Sequence, residues 1–154
     1  MTEETEEQVK HAVSSAIEKL LDADSFLLQN NVNERSISHK LACYIQELFA
    51  DWQVDCEYNR DHDDTKRLNL PTKNVKTNDT NAQTVYPDII IHRRNTGQNL
   101  LVIEIKKTTN PETIENDLEK LDALEKNQLG YRYALFLKLE TGKQIIGNPE
   151  QRWV

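Results

Sequence analysis

Charged side chains interrupt two apolar segments in the middle of the chain. Asp88 begins an apolar run that continues to Ile91, and Glu104 and Lys106 lie within the later apolar run 101–106. Because side chains alternate between the two faces of a β-strand, Glu104 and Lys106 would share one face. A carboxylate and an ammonium are costly to bury in the most apolar part of a sheet, so their presence requires a physical reason.

One such reason is a site that binds a divalent cation and acts on phosphate. Hard oxygen ligands without a cysteine or histidine suit Mg²⁺ or Mn²⁺, with positions left for water and phosphate oxygens. A third carboxylate, Glu34, lies at the start of a predicted helix and projects from its apolar face. With Asp88, Glu104 and Glu34 as ligands, such a site would polarise a phosphoryl group, and Lys106 would stabilise developing charge or position the attacking water.

The same residues are also compatible with a chain that has no catalytic site. The strand that carries Glu104 and Lys106 could lie at an edge or on an open face of the sheet, where the pair would form an exposed salt bridge of little energetic value. The chain would then be a structural αβ protein. Alternatively, it could be a catalytically inactive module that binds nucleic acid or a partner protein.

The motif resembles that of the PD-(D/E)xK phosphodiesterase superfamily, which includes many restriction endonucleases and archaeal Holliday-junction resolvases. In this chain the motif reads Pro87-Asp88, then fifteen intervening residues, then Glu104-Ile105-Lys106. The resemblance extends from Asn33 to about Leu139. It implies an α/β fold with a restriction endonuclease-like core, in which a mixed central β-sheet is flanked by helices.

The resemblance also implies roles for individual residues. Asp88 and Glu104 would bind Mg²⁺ or Mn²⁺, and Lys106 would assist the nucleophile. Glu34 matches the acidic residue that many members carry on the helix before the core sheet. We therefore expect a metal-dependent endonuclease that hydrolyses phosphodiester bonds, with DNA as the substrate, in a restriction, defence or repair context.

Hydrophobic periodicity predicts the elements that must position these residues. The predicted order is two helices, three strands, a helix and a strand. A glycine, Gly97, suits a turn with positive φ between the two hairpin strands. A helix between the cap Asn110 and the stop Gly130 would join two parallel strands. The first two helices are predicted over 5–23 and 33–50. The strands are predicted over 52–58, 85–93, 99–106 and 131–139, with a short edge element over 144–146.

The chain is predicted to form one domain over residues 1–154. Residues 1–30 would be an N-terminal helix and linker, and residues 31–140 would be the nuclease-like core. Residues 59–83 form a polar loop, and a loop of that length is usually functional or disordered. Two cations of this loop and two cations outside it are candidate phosphate contacts. Charged side chains on loops and helix faces are, however, normally only solvated. These candidate nucleic-acid-binding residues are Lys66, Arg67, Lys107 and Lys120.

Composition limits the classes of partner. The formal net charge of −7 gives no basic excess of the kind that supports sequence-independent nucleic-acid binding. Much of this negative charge comes from residues 1–24, which contain seven acids and two lysines. No helix-turn-helix or zinc module is recognisable. Any sequence specificity would therefore come from the 59–83 loop, from a homodimer or from a partner subunit.

Two cysteines and one histidine favour structural interpretations. Cys43 and Cys56 occur in apolar patterns, which indicates small buried residues in a reducing compartment. His92 has the strand parity of Asp88, and packing is favoured over a catalytic role. No apolar run is long enough to cross a bilayer, and the acidic N-terminus differs from a signal peptide. We expect a cytoplasmic protein without membrane association.

Overall fold

The computed structural model describes residues 4–56, 87–108 and 130–154, with four two-residue strands between them. Most of the predicted 59–83 loop and the predicted helix after Asn110 lie outside the described residues. Within them the helices are α1 (Glu6–Ala23), α2 (Ser25–Gln29) and α3 (Glu34–Leu48). The strands are β1 (Gln53–Cys56), β2 (Arg60–Asp61), β3 (Asp64–Thr65), β4 (Arg67–Leu68), β5 (Gln83–Thr84), β6 (Ile89–His92), β7 (Asn99–Lys107), β8 (Tyr133–Leu139) and β9 (Glu150–Trp153).

Helices α1 and α3 begin where their capping residues predict. The Thr5 side chain accepts a hydrogen bond from the Gln8 backbone N–H, and the Gln8 side chain accepts one from the Thr5 N–H, which forms a capping box. Asn33 caps α3 by accepting from the N–H of Ser36. The predicted starts at about residues 5 and 33 are therefore confirmed. No helix in the described part of the chain is long and apolar enough to span a membrane.

The largest sheet has five strands in the order β1-β6-β7-β8-β9. Strands β7 and β8 are parallel, and the remaining neighbouring pairs are antiparallel. The protein is therefore α/β with a mixed sheet, as predicted, and the parallel pairing of β7 with β8 is confirmed. Strand β7 lies at the centre of this sheet, with a hydrogen-bonded neighbour on each side.

The two faces of this sheet have different surroundings. Ile89 and Ile91 of β6 and Leu101 and Ile103 of β7 pack in one hydrophobic cluster with α1 and α3. Each apolar side chain buried in this way contributes roughly 1.5–3 kcal/mol. The intervening side chains of both strands lie on the opposite face. Both sets are buried, so burial alone does not fix the register, and the short hairpin turn between the strands does.

Two predictions about secondary structure near the ends of the chain were wrong. Residues 144–146 form no strand, and of their two isoleucines only Ile146 packs against the core, whereas Ile145 is 84% exposed. The last strand is β9, in which only Gln151 and Trp153 alternate toward the interior, a weak periodic signal. The segment after α1 was interpreted as its end, but it contains the short helix α2.

The positive φ predicted for Gly97 and the interpretation of both cysteines as apolar core residues were also wrong. In the hairpin turn it is Asn95, with φ of 62°, that takes the left-handed conformation expected of Gly97. Asparagine tolerates this region better than most residues. Neither Cys43 nor Cys56 forms a disulfide among the described residues, and both are exposed. Cys43 lies about 200° around α3 from the buried Leu41, and Cys56 ends the edge strand β1.

Candidate active site

The antiparallel register of β6 and β7 brings the two predicted carboxylates together. Ile89 lies opposite Ile103, and Ile90 lies opposite Val102. Continuing this register by one residue places Asp88 opposite Glu104. Residues in such positions direct their side chains to the same face, with Cα atoms about 4.5–5.5 Å apart. Glu104 therefore lies on the face of β7 that is opposite to α1 and α3, and Asp88, which precedes β6, lies beside it at the end of the ladder.

A hydrogen bond fixes the Asp88 carboxylate against the central strand. Its Oδ2 atom accepts from the backbone N–H of Ile105 at 2.7 Å. The preceding residue, Pro87, is buried and has no N–H to donate to a neighbouring strand. Since the backbone ladder of β6 begins only at Ile89, the Asp88 side chain extends the contact between the strands by one residue.

Glu104 and Lys106 are almost completely buried, with 3% and 4% of their surfaces exposed. Both lie on β7, which is the central strand and not an edge strand. The hypothesis that they form a solvent-exposed salt bridge is therefore wrong. Charged groups of this kind cost several kcal/mol each to desolvate and are retained only with compensating interactions.

Glu34 reaches the same region from the first turn of α3. It is half-buried and, together with Asp88, lines a pocket of about 510 Å³. The structure therefore brings together two of the three predicted acidic ligands in one pocket, while Glu104 lies beside Asp88 on the adjacent strand. The remaining described lining residues are Asn33, Arg35, Ser38 and Cys56.

Lys107, a predicted phosphate contact, ties the central strand to the start of α3. Its Nζ atom donates to the backbone carbonyl of Val32 at 3.2 Å. Val32 precedes the N-cap Asn33 and is two residues from Glu34. The end of β7 and the helix that carries Glu34 are therefore held at a fixed distance. A lysine has three donors, so this contact leaves a phosphate contact as a separate prediction.

The other predicted nucleic-acid contacts stay predictions, because their side chains lie outside the described residues. Lys66 and Lys120 lie outside the described residues. Arg67 belongs to β4, where it is paired with Thr84 of β5, but its side chain is also outside what the structure describes.

The donor set fits a divalent cation held by few protein ligands. In the part of the chain that the structure describes, no group of three or more His, Cys, Asp or Glu side chains is arranged to hold a metal ion. Glu34, Asp88 and Glu104 thus do not form a closed cage of three acids. Mg²⁺ does not require one, because it commonly binds through one or two carboxylates and retains water and phosphate oxygens. The facing pair Asp88 and Glu104 meets that requirement.

A second polar cluster fastens the edge strand β1 to β6. His92 is 2% exposed, and its Nε2 atom lies 2.6 Å from Oδ2 of Asp55. Arg94 also donates to this carboxylate, from Nε at 2.9 Å. Burial alone would raise the pKa of Asp55, but the hydrogen bonds from His92 and Arg94 outweigh it and hold that pKa well below its usual range. His92 thus packs against a partner, as predicted.

The pocket contains a cation that the sequence analysis did not select. Arg35 is exposed and lines the pocket with Glu34 and Asp88. The sequence feature that could have identified Arg35 is its position directly after Glu34 in the first turn of α3.

No protein-family model, curated protein or solved structure matches this chain. What the site can do follows from its own residues: two facing carboxylates, a nearby ammonium and an adjoining pocket with a guanidinium.

Proposed function

We propose that this chain is a metal-dependent nuclease that hydrolyses phosphodiester bonds, with DNA as its substrate. The observation that carries the proposal is the register of β6 and β7, which brings Asp88 opposite Glu104 when it is extended by one residue from Ile89 and Ile103. Lys106 belongs to the same face of β7 as Glu104, two residues further along the strand. Acids held side by side repel each other unless a cation lies between them. The buried Glu104 beside the half-buried Asp88 is therefore better suited to metal binding than to stability.

Each residue has a distinct role in this proposal. Asp88 and Glu104 would hold Mg²⁺ or Mn²⁺, and Glu34, which lines the same pocket as Asp88, would contribute its carboxylate. The cation would supply polarisation of the phosphoryl group and a lowered pKa for bound water. Lys106 would orient the attacking water or stabilise the negative charge that develops on the phosphate. The hydrogen bond from Ile105 holds the Asp88 carboxylate against β7.

The alternative proposal is a module of the same fold that binds nucleic acid or a partner protein without hydrolysis. The absence of a three-acid metal group among the described residues favours it. The acidic net charge of −7 favours a role in which affinity for nucleic acid is supplied by a more basic partner subunit. Restriction, defence and repair assemblies are contexts that would supply such a partner.

A cleavage assay separates the two proposals. Purified protein would be incubated with supercoiled plasmid, single-stranded DNA, branched DNA and RNA, each with Mg²⁺, with Mn²⁺ and with EDTA. The Glu104→Gln variant keeps the size of the side chain and removes the charge, and Asp22→Asn removes an exposed charge from α1 as the matched control. Metal-dependent cleavage by the wild type and the control, but not by Glu104→Gln, supports the nuclease. Equal backgrounds from all three proteins would support the binding module.

A further inference from the structure

Arg35 lies where an anionic substrate would need a positive charge. Among the described residues that line the 510 Å³ pocket, Glu34 and Asp88 are acidic and Arg35 is the one cation. The whole chain carries a net charge of −7, so its long-range field does not attract a polyanion. Recognition of a phosphate in this pocket therefore depends on local groups.

We propose that Arg35 is a substrate-binding residue that contacts a backbone phosphate next to the scissile bond. This inference rests on the proposed nuclease function and deepens it by assigning the ligand of the pocket. The planar guanidinium offers two parallel N–H donors that match two phosphate oxygens, a geometry that lysine cannot reproduce. Arg35 and Asp88 line the same pocket, so a phosphate held by Arg35 would lie near the proposed metal ligand Asp88.

The position of Arg35 on the first turn of α3 is stable enough to orient a substrate. The Asn33 side chain caps this turn through the N–H of Ser36, and Lys107 fastens the preceding residue, Val32, to β7. Arg35 is an exposed residue, so its contact with a substrate requires no rearrangement of the core. A binding residue on a rigid element loses less conformational entropy when it engages its ligand.

The test measures DNA binding and its dependence on salt. A short fluorescein-labelled DNA duplex and its single strand are titrated with protein by fluorescence anisotropy, with Ca²⁺ in place of Mg²⁺ and gels to verify that the probe is intact. Lys40→Gln is the matched control, because Lys40 is an exposed cation of α3 about 140° around the helix from Arg35 and does not line the pocket. Melting curves verify that each variant is folded.

The expected result is about tenfold weaker binding by Arg35→Gln, with the slope of log K against log salt reduced by about 0.7–0.9 for the loss of one phosphate contact. Arg35→Lys keeps the slope and loses part of the affinity. In cleavage assays Arg35→Gln raises KM while kcat is retained. Lys40→Gln behaves like the wild type throughout.

Several results would overturn the inference. Unchanged affinity and slope for Arg35→Gln, or an equal loss for Lys40→Gln, would show that the pocket cation has no specific phosphate contact. A fall in kcat at unchanged KM would assign Arg35 to positioning Glu34 instead. A wild type that binds neither probe overturns this inference together with the nuclease. A wild type that binds DNA but cleaves none overturns only hydrolysis, and the Arg35 comparison is still decisive.

Discussion

The Asp88 carboxylate accepts a hydrogen bond of 2.7 Å from the backbone N–H of Ile105, the residue between Glu104 and Lys106. A side chain of one strand is thus fixed to the backbone of the next, at the point where the three proposed catalytic residues meet. This bond holds an acid close to a second acid. Two acids placed side by side cost stability, which is the basis of the proposal that they share a cation.

Replacement of Asp88 by asparagine should separate the charge from the hydrogen bond. The amide oxygen of Asp88→Asn can still accept from Ile105, so the hairpin is retained. Loss of the metal-binding charge should reduce cleavage by at least about 100-fold. The melting temperature without metal should be unchanged or higher, because the repulsion between facing acids is removed.

Cleavage kinetics and thermal melts check this prediction, with Asp22→Asn as the control. Retention of wild-type cleavage by Asp88→Asn would remove Asp88 from the catalytic group. A variant that melts far below the wild type would instead assign Asp88 a purely structural role.

Substitution of Lys107 should loosen the start of α3. Lys107→Met keeps the aliphatic part of the side chain and removes the donor to the Val32 carbonyl. We expect a loss of about 1 kcal/mol in the free energy of unfolding, measured in urea. Hydrogen exchange should accelerate in the first turn of α3, which carries Glu34. Lys143→Met is the comparison, because Lys143 is 61% exposed and its salt bridge to Glu140 is worth little.

If Lys107→Met is as stable as Lys143→Met and exchange in that turn is unchanged, the contact with Val32 does not hold the helix. A large change in the salt dependence of DNA binding would instead place Lys107 among the phosphate contacts.

The contribution of Asp55 should depend on pH with a defined sign. Its pKa is lowered in the folded protein relative to the ordinary value of 3.8, through His92 and Arg94. A carboxylate with a lowered pKa stabilises the fold above its unfolded pKa, and that stabilisation is lost as the pH falls toward its folded pKa. Asp55→Asn should therefore be less stable than the wild type near pH 6, by about 1 kcal/mol after solvent screening.

Urea unfolding from pH 6 to pH 3 measures this difference. The difference in free energy of unfolding between the wild type and Asp55→Asn should narrow once the pH falls below about 4. The control Asp51→Asn alters a nearby exposed carboxylate and should differ little from the wild type at any pH. A gap that widens on acidification would contradict the assigned role of Asp55.

The elements that the sequence predicts well are those whose signals are local. Asn33 predicts the start of α3 because its side chain caps the helix it precedes. The apolar run through Ile105 predicts β7, and its parallel pairing with β8 follows from the intervening length of chain. The register that, extended by one residue, places Asp88 opposite Glu104 follows from the short turn of the hairpin, because loop length fixes how two hairpin strands pair.

Features that depend on tertiary packing were harder to predict. Strand β9 has few apolar residues, and it forms because β8 offers it a free edge. Cys43 occurs among apolar residues of α3 but on the side away from the core. The pocket that joins Arg35 to Asp88 depends on how α3 is placed against the sheet, which no local pattern of residues specifies.

Calorimetric titration of metal-free protein with Mn²⁺ tests most directly whether Asp88 and Glu104 share a cation. We predict a single site in the wild type and in Asp22→Asn, with affinity reduced by at least about tenfold in both Asp88→Asn and Glu104→Gln. No heat of binding to the wild type, or equal binding by all four proteins, would contradict the shared site.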